Sequence, residues 1–312
     1  MKNEIHMVTG AFGYTGKYIA KILLNKGVQV RTLTNSINRK NFFGNKVKPY
    51  LYNFNDPYKL EKSLTGCSVL YNTYWVRFNH KKFNHNEAVE NTIALFKAAQ
   101  AAGVKRVVHI SITNPNKYSH LEYFRGKAIL EEELQKMFDS FAIVRPAVIF
   151  GPEDILINNI AWLIRTFPVF GYFGNGRYKL QPIYVEDLAA LAIESAFNTE
   201  NIIVDAIGNE TYTYKELAIT IAKMLQKKRI IIPIPPYIGY IIGLILGKLK
   251  GDVMITKEEI DGLMQNLLYT TSMPIGKIKL SQWLQNNKNN IGTKYNNEIQ
   301  RRIDRSKEYS DL

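Results

Sequence analysis

Only one cysteine, Cys67, occurs in 312 residues. That excludes an internal disulfide and a metal centre built on several thiolates, and it makes a reducing compartment the natural setting. The histidines are few: His6, His80, His85, His109 and His120. None pair at a tight metal-ligand spacing. His80 and His85 sit in a polar stretch and read as surface residues, so no metal is expected. No apolar leader precedes the first strand-like run at Ile5, so a cytoplasmic location without a secretory signal is expected. Internal repeats and low-complexity linkers are lacking. Acidic residues are outnumbered, 27 against 41 Lys and Arg, giving a formal charge of +14. The cations are scattered, with short clusters only at Lys227-Lys228-Arg229 and Arg301-Arg302. Without an aromatic platform or zinc-finger spacing, nucleic acid is not an expected partner. A basic surface that steers anionic cofactors or substrates is expected instead.

What is present fits a globular chain of about two domains with a full core. The organising stretch is Met7-Val-Thr9-Gly10-Ala-Phe12-Gly13-Tyr14-Thr15-Gly16. An apolar run precedes it and a helix-like run follows it. Glycines three apart between a first strand and a first helix let the backbone approach a pyrophosphate, and the helix amides hold the anion. Thr9, Gly10, Phe12, Gly13, Tyr14, Thr15 and Gly16 are therefore candidate cofactor-binding residues.

Strand-like and helix-like runs then alternate every 20–30 residues, the pattern of a parallel sheet covered on both faces. Strands are expected at 28–34, 47–54, 68–72, 105–111, 142–150 and 202–207. Helices are expected between them, including 86–102 and 155–166. The end of the second strand decides between cofactors: an acid there holds a ribose 2′-OH, and a basic residue suits a 2′-phosphate. Asn35 stands at that place with no acid nearby, and Lys17, Arg39 and Lys40 flank it. This favours NADP(H) over NAD(H). The 53–56 segment, with Asp56, is expected to border the adenine.

After the fifth strand, Tyr123 and Lys127 lie four apart on a predicted helix and share a face. An ammonium beside a phenol lowers its pKa, so the tyrosine can move a proton to or from a substrate oxygen while hydride moves at a nicotinamide. Lys127 can also hold the nicotinamide ribose. A second Tyr-x-x-x-Lys, at Tyr58 and Lys62, follows the third strand and reads as surface.

With these residues in place the sequence resembles the short-chain dehydrogenase/reductase superfamily, in its extended or atypical branch of the NAD-dependent epimerase/dehydratase type. The resemblance rests on Thr9-Gly10-x-x-Gly13-x-x-Gly16, Asn72, Ser111, Tyr123-x-x-x-Lys127, Arg145-Pro146-Ala-Val-Ile-Phe-Gly151-Pro152, Gly174-Asn-Gly176-Arg177, and Tyr184-Val185-Glu-Asp187. It covers roughly residues 5–225. It implies an α/β fold: a doubly wound parallel sheet of Rossmann type with a smaller, mainly helical C-terminal substrate domain. The expected division is 1–150 plus about 178–207 for the nucleotide-binding domain, and 151–177 plus 208–312 for the other. Asn72 and Pro146 are implied at the cofactor, and Arg177 at a substrate phosphate or carboxylate. Asp187 reads as a structural anchor. The family's active-site hydroxyl aligns with Ile112, between Ser111 and Thr113. Ser111 is taken as the third catalytic residue, with Thr113 the other choice.

Residues 230–247 contain no charge. Their prolines argue for a short strand, a Pro-Pro turn and a helix of about 13 residues, too short to span a bilayer. Burial in the second domain or at a homodimer contact is expected. A helix on a membrane surface, flanked by Lys248 and Lys250 within 230–250, is the other reading. Thr213 and Thr256 open capping boxes. The function this points to is an NAD(P)-dependent oxidoreductase, epimerase or dehydratase acting on a small substrate bearing a hydroxyl or carbonyl. The alternative is a non-catalytic NADPH-binding accessory or redox-sensing protein.

Overall fold

The computed structural model describes residues 4–312. In chain order it contains β1 (Ile5–Thr9), α1 (Tyr14–Asn25), β2 (Gln29–Leu33), β3 (Val47–Tyr50), α2 (Pro57–Leu64), β4 (Cys67–Asn72) and α3 (His85–Ala101). Then come β5 (Arg106–Ile110), α4 (Glu122–Met137), β6 (Phe141–Pro146), β7 (Val148–Phe150), α5 (Leu156–Thr166), β8 (Val169–Phe173), β9 (Lys179–Leu180) and β10 (Pro182–Tyr184). The remainder is α6 (Val185–Phe197), β11 (Ile202–Ala206), β12 (Tyr212–Thr213), α7 (Tyr214–Met224), β13 (Ile230–Ile234), α8 (Pro236–Lys250), α9 (Lys257–Met264), α10 (Leu280–Asn287) and α11 (Glu298–Ile303).

The chain divides into two units. The first takes the chain up to Pro146, then Leu188–Asp205 and Arg305–Asp311. The second takes Ala147–Asp187, Ala206–Asp304 and Leu312. Residues 147–150 and 178–187, expected with the nucleotide-binding domain, fall in the second unit, and 305–311 fall in the first.

The first unit is built on a seven-stranded sheet in the order β11-β6-β5-β4-β1-β2-β3. The pairs from β6 to β3 are parallel. The chain runs outward from β1 to β3, then restarts at β4 on the other side. This is the doubly wound topology, with its switch point between β1 and β4, where ligands bind beyond the carboxyl ends of the strands. Strands buried on both faces explain the unbroken apolar runs. Met7, Leu70, Val107 and Ile143 are completely buried, under Leu95, Phe96, Leu130 and Leu134 from the helices.

The expected strand 142–150 is two strands. The run breaks at Ala147: β6 belongs to the main sheet and β7 pairs with β10. The second unit has its own core of Phe150, Ile157, Ile160, Tyr214, Leu217 and Leu284. Residues 171–173 form the end of β8, which pairs in parallel with β13. The turn follows, with Gly174 and Gly176 at positive φ. Both capping boxes are formed, at Thr213 with Glu216 and at Thr256 with Glu259.

The uncharged segment parses into strand and helix as its prolines require, but its burial is one-sided. Only Gly239, Gly243 and Gly247 of α8 are buried. A Cβ on Gly239 would lie 2.4 Å from the Phe173 ring, one on Gly243 2.7 Å from Ile255, and one on Gly247 2.6 Å from the Asp252 carbonyl oxygen. The helix therefore presses a glycine stripe inward and leaves its large apolar side chains outside. That corrects the expectation of burial within the second domain.

Candidate functional site

The glycine turn closes as its spacing demands. Gly10 adopts φ +67°, and its amide donates to the Leu33 carbonyl at 2.9 Å. Gly13 N–H donates to the Gly10 carbonyl at 2.8 Å, and Ala11 N–H to Thr32 Oγ1 at 3.0 Å. A Cβ on Gly16 would stand 2.4 Å from the Gly10 oxygen and 2.9 Å from the Thr9 oxygen. Only glycine lets α1 start this close to β1. Helix α1 has no side-chain cap and no acid in its first turn. Its N-terminal amides and dipole thus suit an anion, and the cradle fits a pyrophosphate. Phe12 is buried beneath the turn, and Tyr14 and Thr15 open the helix half-buried.

Beyond β2, Asn35 is exposed and Arg39 is buried. The Arg39 guanidinium lies 5.8 Å from the Tyr309 ring centroid, and Lys40 N–H donates to the Ser306 carbonyl at 2.9 Å. The 305–311 segment therefore returns against this loop, a contact with no local signal in the sequence. Asp56 caps α2: its carboxylate accepts from Lys59 N–H at 3.1 Å and meets Lys59 Nζ at 2.9 Å. Those bonds hold its pKa below the usual range. The rings of Tyr52, Phe54 and Tyr74 cluster beside it in the chain, with Tyr52 and Phe54 stacked at 4.8 Å.

At the switch point Thr9 and Asn72 join the ends of β1 and β4. Thr9 Oγ1 donates to Asn72 Oδ1 at 3.2 Å and accepts from Thr73 N–H at 2.7 Å. Asn72 Oδ1 also accepts from Tyr74 N–H at 3.1 Å. Asn72 Nδ2 pairs with His109 Nδ1 at 3.0 Å. Burial, helped by nearby Lys127, pushes the His109 pKa well down, so the ring is neutral and accepts that bond on Nδ1.

Tyr123 and Lys127 stand one turn apart on α4. Lys127 is buried and donates from Nζ to the Ile110 carbonyl at 2.7 Å. It also lies 4.5 Å from the centroid of the Trp75 ring. Burial drives its pKa down to about 7, although Glu131 pulls the other way. Tyr123 is half-buried, edge-on to Trp75 at 5.6 Å and to His85 at 5.7 Å. Trp75 stacks on His85 at 5.7 Å. Thus Trp75, in the loop after β4, touches both members of the pair. The available signal was Gly126, an unfavourable residue in mid-helix. A Cβ there would meet the Trp75 ring at 2.7 Å.

Ser111 is buried and donates to Glu131 Oε1 at 2.5 Å. Glu131 in turn receives Arg145 through Nε at 3.0 Å and Nη2 at 2.5 Å. The serine thus completes a buried, bidentate ion pair joining α4 to β6. Thr113 is fully buried, and its N–H donates to the Pro146 carbonyl at 3.1 Å.

In the second unit Arg177 is exposed, with its N–H donating to Asn175 Oδ1 at 2.9 Å. Asp187 Oδ2 accepts from the amides of Lys277 and Ile278 at 2.7 and 2.8 Å, an anchoring role. Buried Asp154 accepts from the amides of Gly151, Ile157 and Asn158. Burial outweighs those bonds and raises its pKa to about 6.

The model of the NAD dependent epimerase/dehydratase family matches residues 6–202. The chain belongs to that family. A similar curated protein is the mitochondrial NADH dehydrogenase [ubiquinone] 1 alpha subcomplex subunit 9 of Dictyostelium discoideum, 24% identical over 84% of this chain and 76% of that protein. The mitochondrial NADH-ubiquinone oxidoreductase 40 kDa subunit of Neurospora crassa is 26% identical over 81% of this chain and 69% of that one. A photosystem II assembly factor, Ycf39 of Guillardia theta, matches at 30% over 41% of each chain. Among solved structures, Citrobacter sp. triphenylmethane reductase complexed with NADP(H) superposes with TM-score 0.74 at 18% identity, over 91% of this chain and 99% of that one. UDP-glucose 4-epimerase of Thermotoga maritima gives 0.67 at 15%, over 91% and 97%. These structural likenesses establish the shared fold.

Proposed function

We propose that this chain binds a nicotinamide dinucleotide and retains it as part of its folded structure, serving as an accessory protein in a larger assembly. The observation that carries this reading is the inward commitment of the groups that acid–base catalysis would need. The Ser111 hydroxyl is bonded to Glu131, and the Lys127 amine is turned to the Ile110 carbonyl and the Trp75 face. Burial lowers the Lys127 pKa to about 7, which favours the uncharged amine, and an amine that loses charge lowers a neighbouring phenol's pKa less than a full ammonium would. Two of the relatives are named as subunits of mitochondrial NADH dehydrogenase or NADH-ubiquinone oxidoreductase, which supports a protein assembly as the partner.

The residues that would hold the cofactor are those of the 9–16 turn for the pyrophosphate, and Asn35, Arg39 and Lys40 for the adenosine ribose. When bound, the nicotinamide supplies a hydride donor or acceptor. The absence of an acid from 33–40 and the presence of Arg39 and Lys40 favour NADPH over NADH.

The one-turn spacing of Tyr123 and Lys127 favours a second reading, a reductase or epimerase acting on a small carbonyl- or hydroxyl-bearing substrate. The test is to purify the protein, extract bound nucleotide and assay it by enzymatic cycling. Retained NADP(H), with thermal stabilisation by NADPH exceeding that by NADH, is the expected result. Saturation at a hundred times Kd corresponds to about 2.7 kcal/mol. Turnover of a carbonyl substrate that collapses in Tyr123→Phe would replace this reading with the enzymatic one.

A further inference from the structure

Helix α8 shows two opposite faces. The glycine stripe 239, 243, 247 is pressed into the second unit. Opposite it, Tyr237, Ile241, Leu244, Ile245 and Leu249 recur at i, i+4, i+7, i+8 and i+12, which is one helix face. These side chains are exposed by 66, 49, 50, 57 and 76%. Edge strand β13, which leads into the helix, adds exposed Ile230 and Ile232. An apolar stretch of this extent left outside a folded unit marks an interaction surface.

Charge says what covers it. Residues 217–251 hold Lys223, Lys227, Lys228, Arg229, Lys248 and Lys250, and no Asp or Glu. The cations bracket the apolar segment at both ends. Lys223, Lys227 and Lys228 line a groove of about 640 Å³ at the start of β13. Arg229 braces α5 through the carbonyls of Ile164 and Arg165, and Lys250 Nζ lies 4.8 Å from the Trp162 ring centroid, so Lys223, Lys227, Lys228 and Lys248 are the cations offered to a partner.

We propose that α8 docks the protein onto an anionic lipid bilayer, lying in the headgroup plane with its Tyr/Ile/Leu face toward the acyl chains and its lysines toward lipid phosphates. Fifteen residues of helix reach about 22 Å, short of a hydrocarbon core of about 30 Å, so the helix lies along the surface. Among the described residues no helix is long and apolar enough to cross a membrane. A second copy fits less well. A two-fold contact would set two lysine-bearing patches against each other, with no Asp or Glu in 217–251 of either to offset them. A bilayer offers both an apolar interior and a negative surface. This inference stands apart from the cofactor reading.

The test uses the full chain in co-sedimentation with vesicles of phosphatidylcholine, alone or mixed with phosphatidylglycerol. The apparent affinity for the mixed vesicles should exceed that for the neutral ones by about tenfold or more, and the excess should fall as salt rises. The triple variant Ile241→Ser/Ile245→Ser/Leu249→Ser should lose binding while keeping its unfolding midpoint, since these side chains are exposed. Lys227→Glu/Lys228→Glu should lose the anionic preference. Equal binding to both vesicle types, or to neither, overturns the proposal. So does undiminished binding by the serine variant. A dimer that ignores vesicles and dissociates in the serine variant would assign the face to a second copy instead.

Discussion

Two glycine triplets organise this molecule, and they do opposite things. In Gly10, Gly13 and Gly16 the missing side chains bring a helix start down onto a strand end, so that bare backbone amides face outward as an anion cradle. In Gly239, Gly243 and Gly247 the missing side chains bring a helix flank down onto its unit, so that large apolar groups face outward. The polar groups of the first unit follow the same inversion: Ser111, Lys127 and Asn72 are satisfied inside the sheet and its helices. The first triplet turns polar backbone outward, and the second turns apolar side chains outward. Spacing tells them apart, three residues across a turn and four along a helix.

The largest effect expected to break this comparison is at Gly16. The atoms a new Cβ would meet are backbone oxygens that cannot rotate away. Gly16→Ala should cost about 3 kcal/mol in urea unfolding and abolish nucleotide retention, while leaving vesicle binding intact. Unchanged retention would show that the cradle is not the anion site.

Next comes the buried amine. The native state holds Lys127 down at about 7, against 10.5 in the unfolded chain. Between those values the unfolded chain binds more protons, so stability rises with pH across that window and the cost is fully present below it. The rise from pH 7 to pH 9 should be about 2 kcal/mol larger in the parent than in Lys127→Met. Equal slopes in the two proteins would mean that the amine is hydrated rather than buried.

The smallest effect is at Gly247. Alanine improves helix propensity by about 1 kcal/mol but meets the Asp252 carbonyl oxygen, so Gly247→Ala should destabilise by only about 1 kcal/mol net. It should nonetheless weaken vesicle binding by tilting α8, with nucleotide retention unchanged. A variant that loses the nucleotide instead would erase the distinction between the two triplets.

What could be read in the sequence was what is local. The 9–16 turn, the alternation of strands and helices, both capping boxes and the one-turn spacing of Tyr123 and Lys127 depend on neighbours within a few residues. The partner of Ser111 is 20 residues away on α4, and pairing depended on how α4 lies across β5 and β6. The break at Ala147 was hidden because both strands are apolar, and apolar runs carry no mark of which sheet they join. The exposure of α8 ran against burial within the second domain, which hydrophobicity alone suggested. Its four-residue glycine repeat already said which face goes in. Trp75 had a similar marker in Gly126, a helix glycine that makes room for the indole.

The segment 305–311 has a consequence in time. It belongs to the first unit but is made after residues 147–187 and 206–304 of the second. As the chain leaves the ribosome, the strands from β1 to β11 are available long before Tyr309 can reach Arg39. The loop that would hold the adenosine ribose therefore gains this contact only after the helix that would meet the lipid has been made.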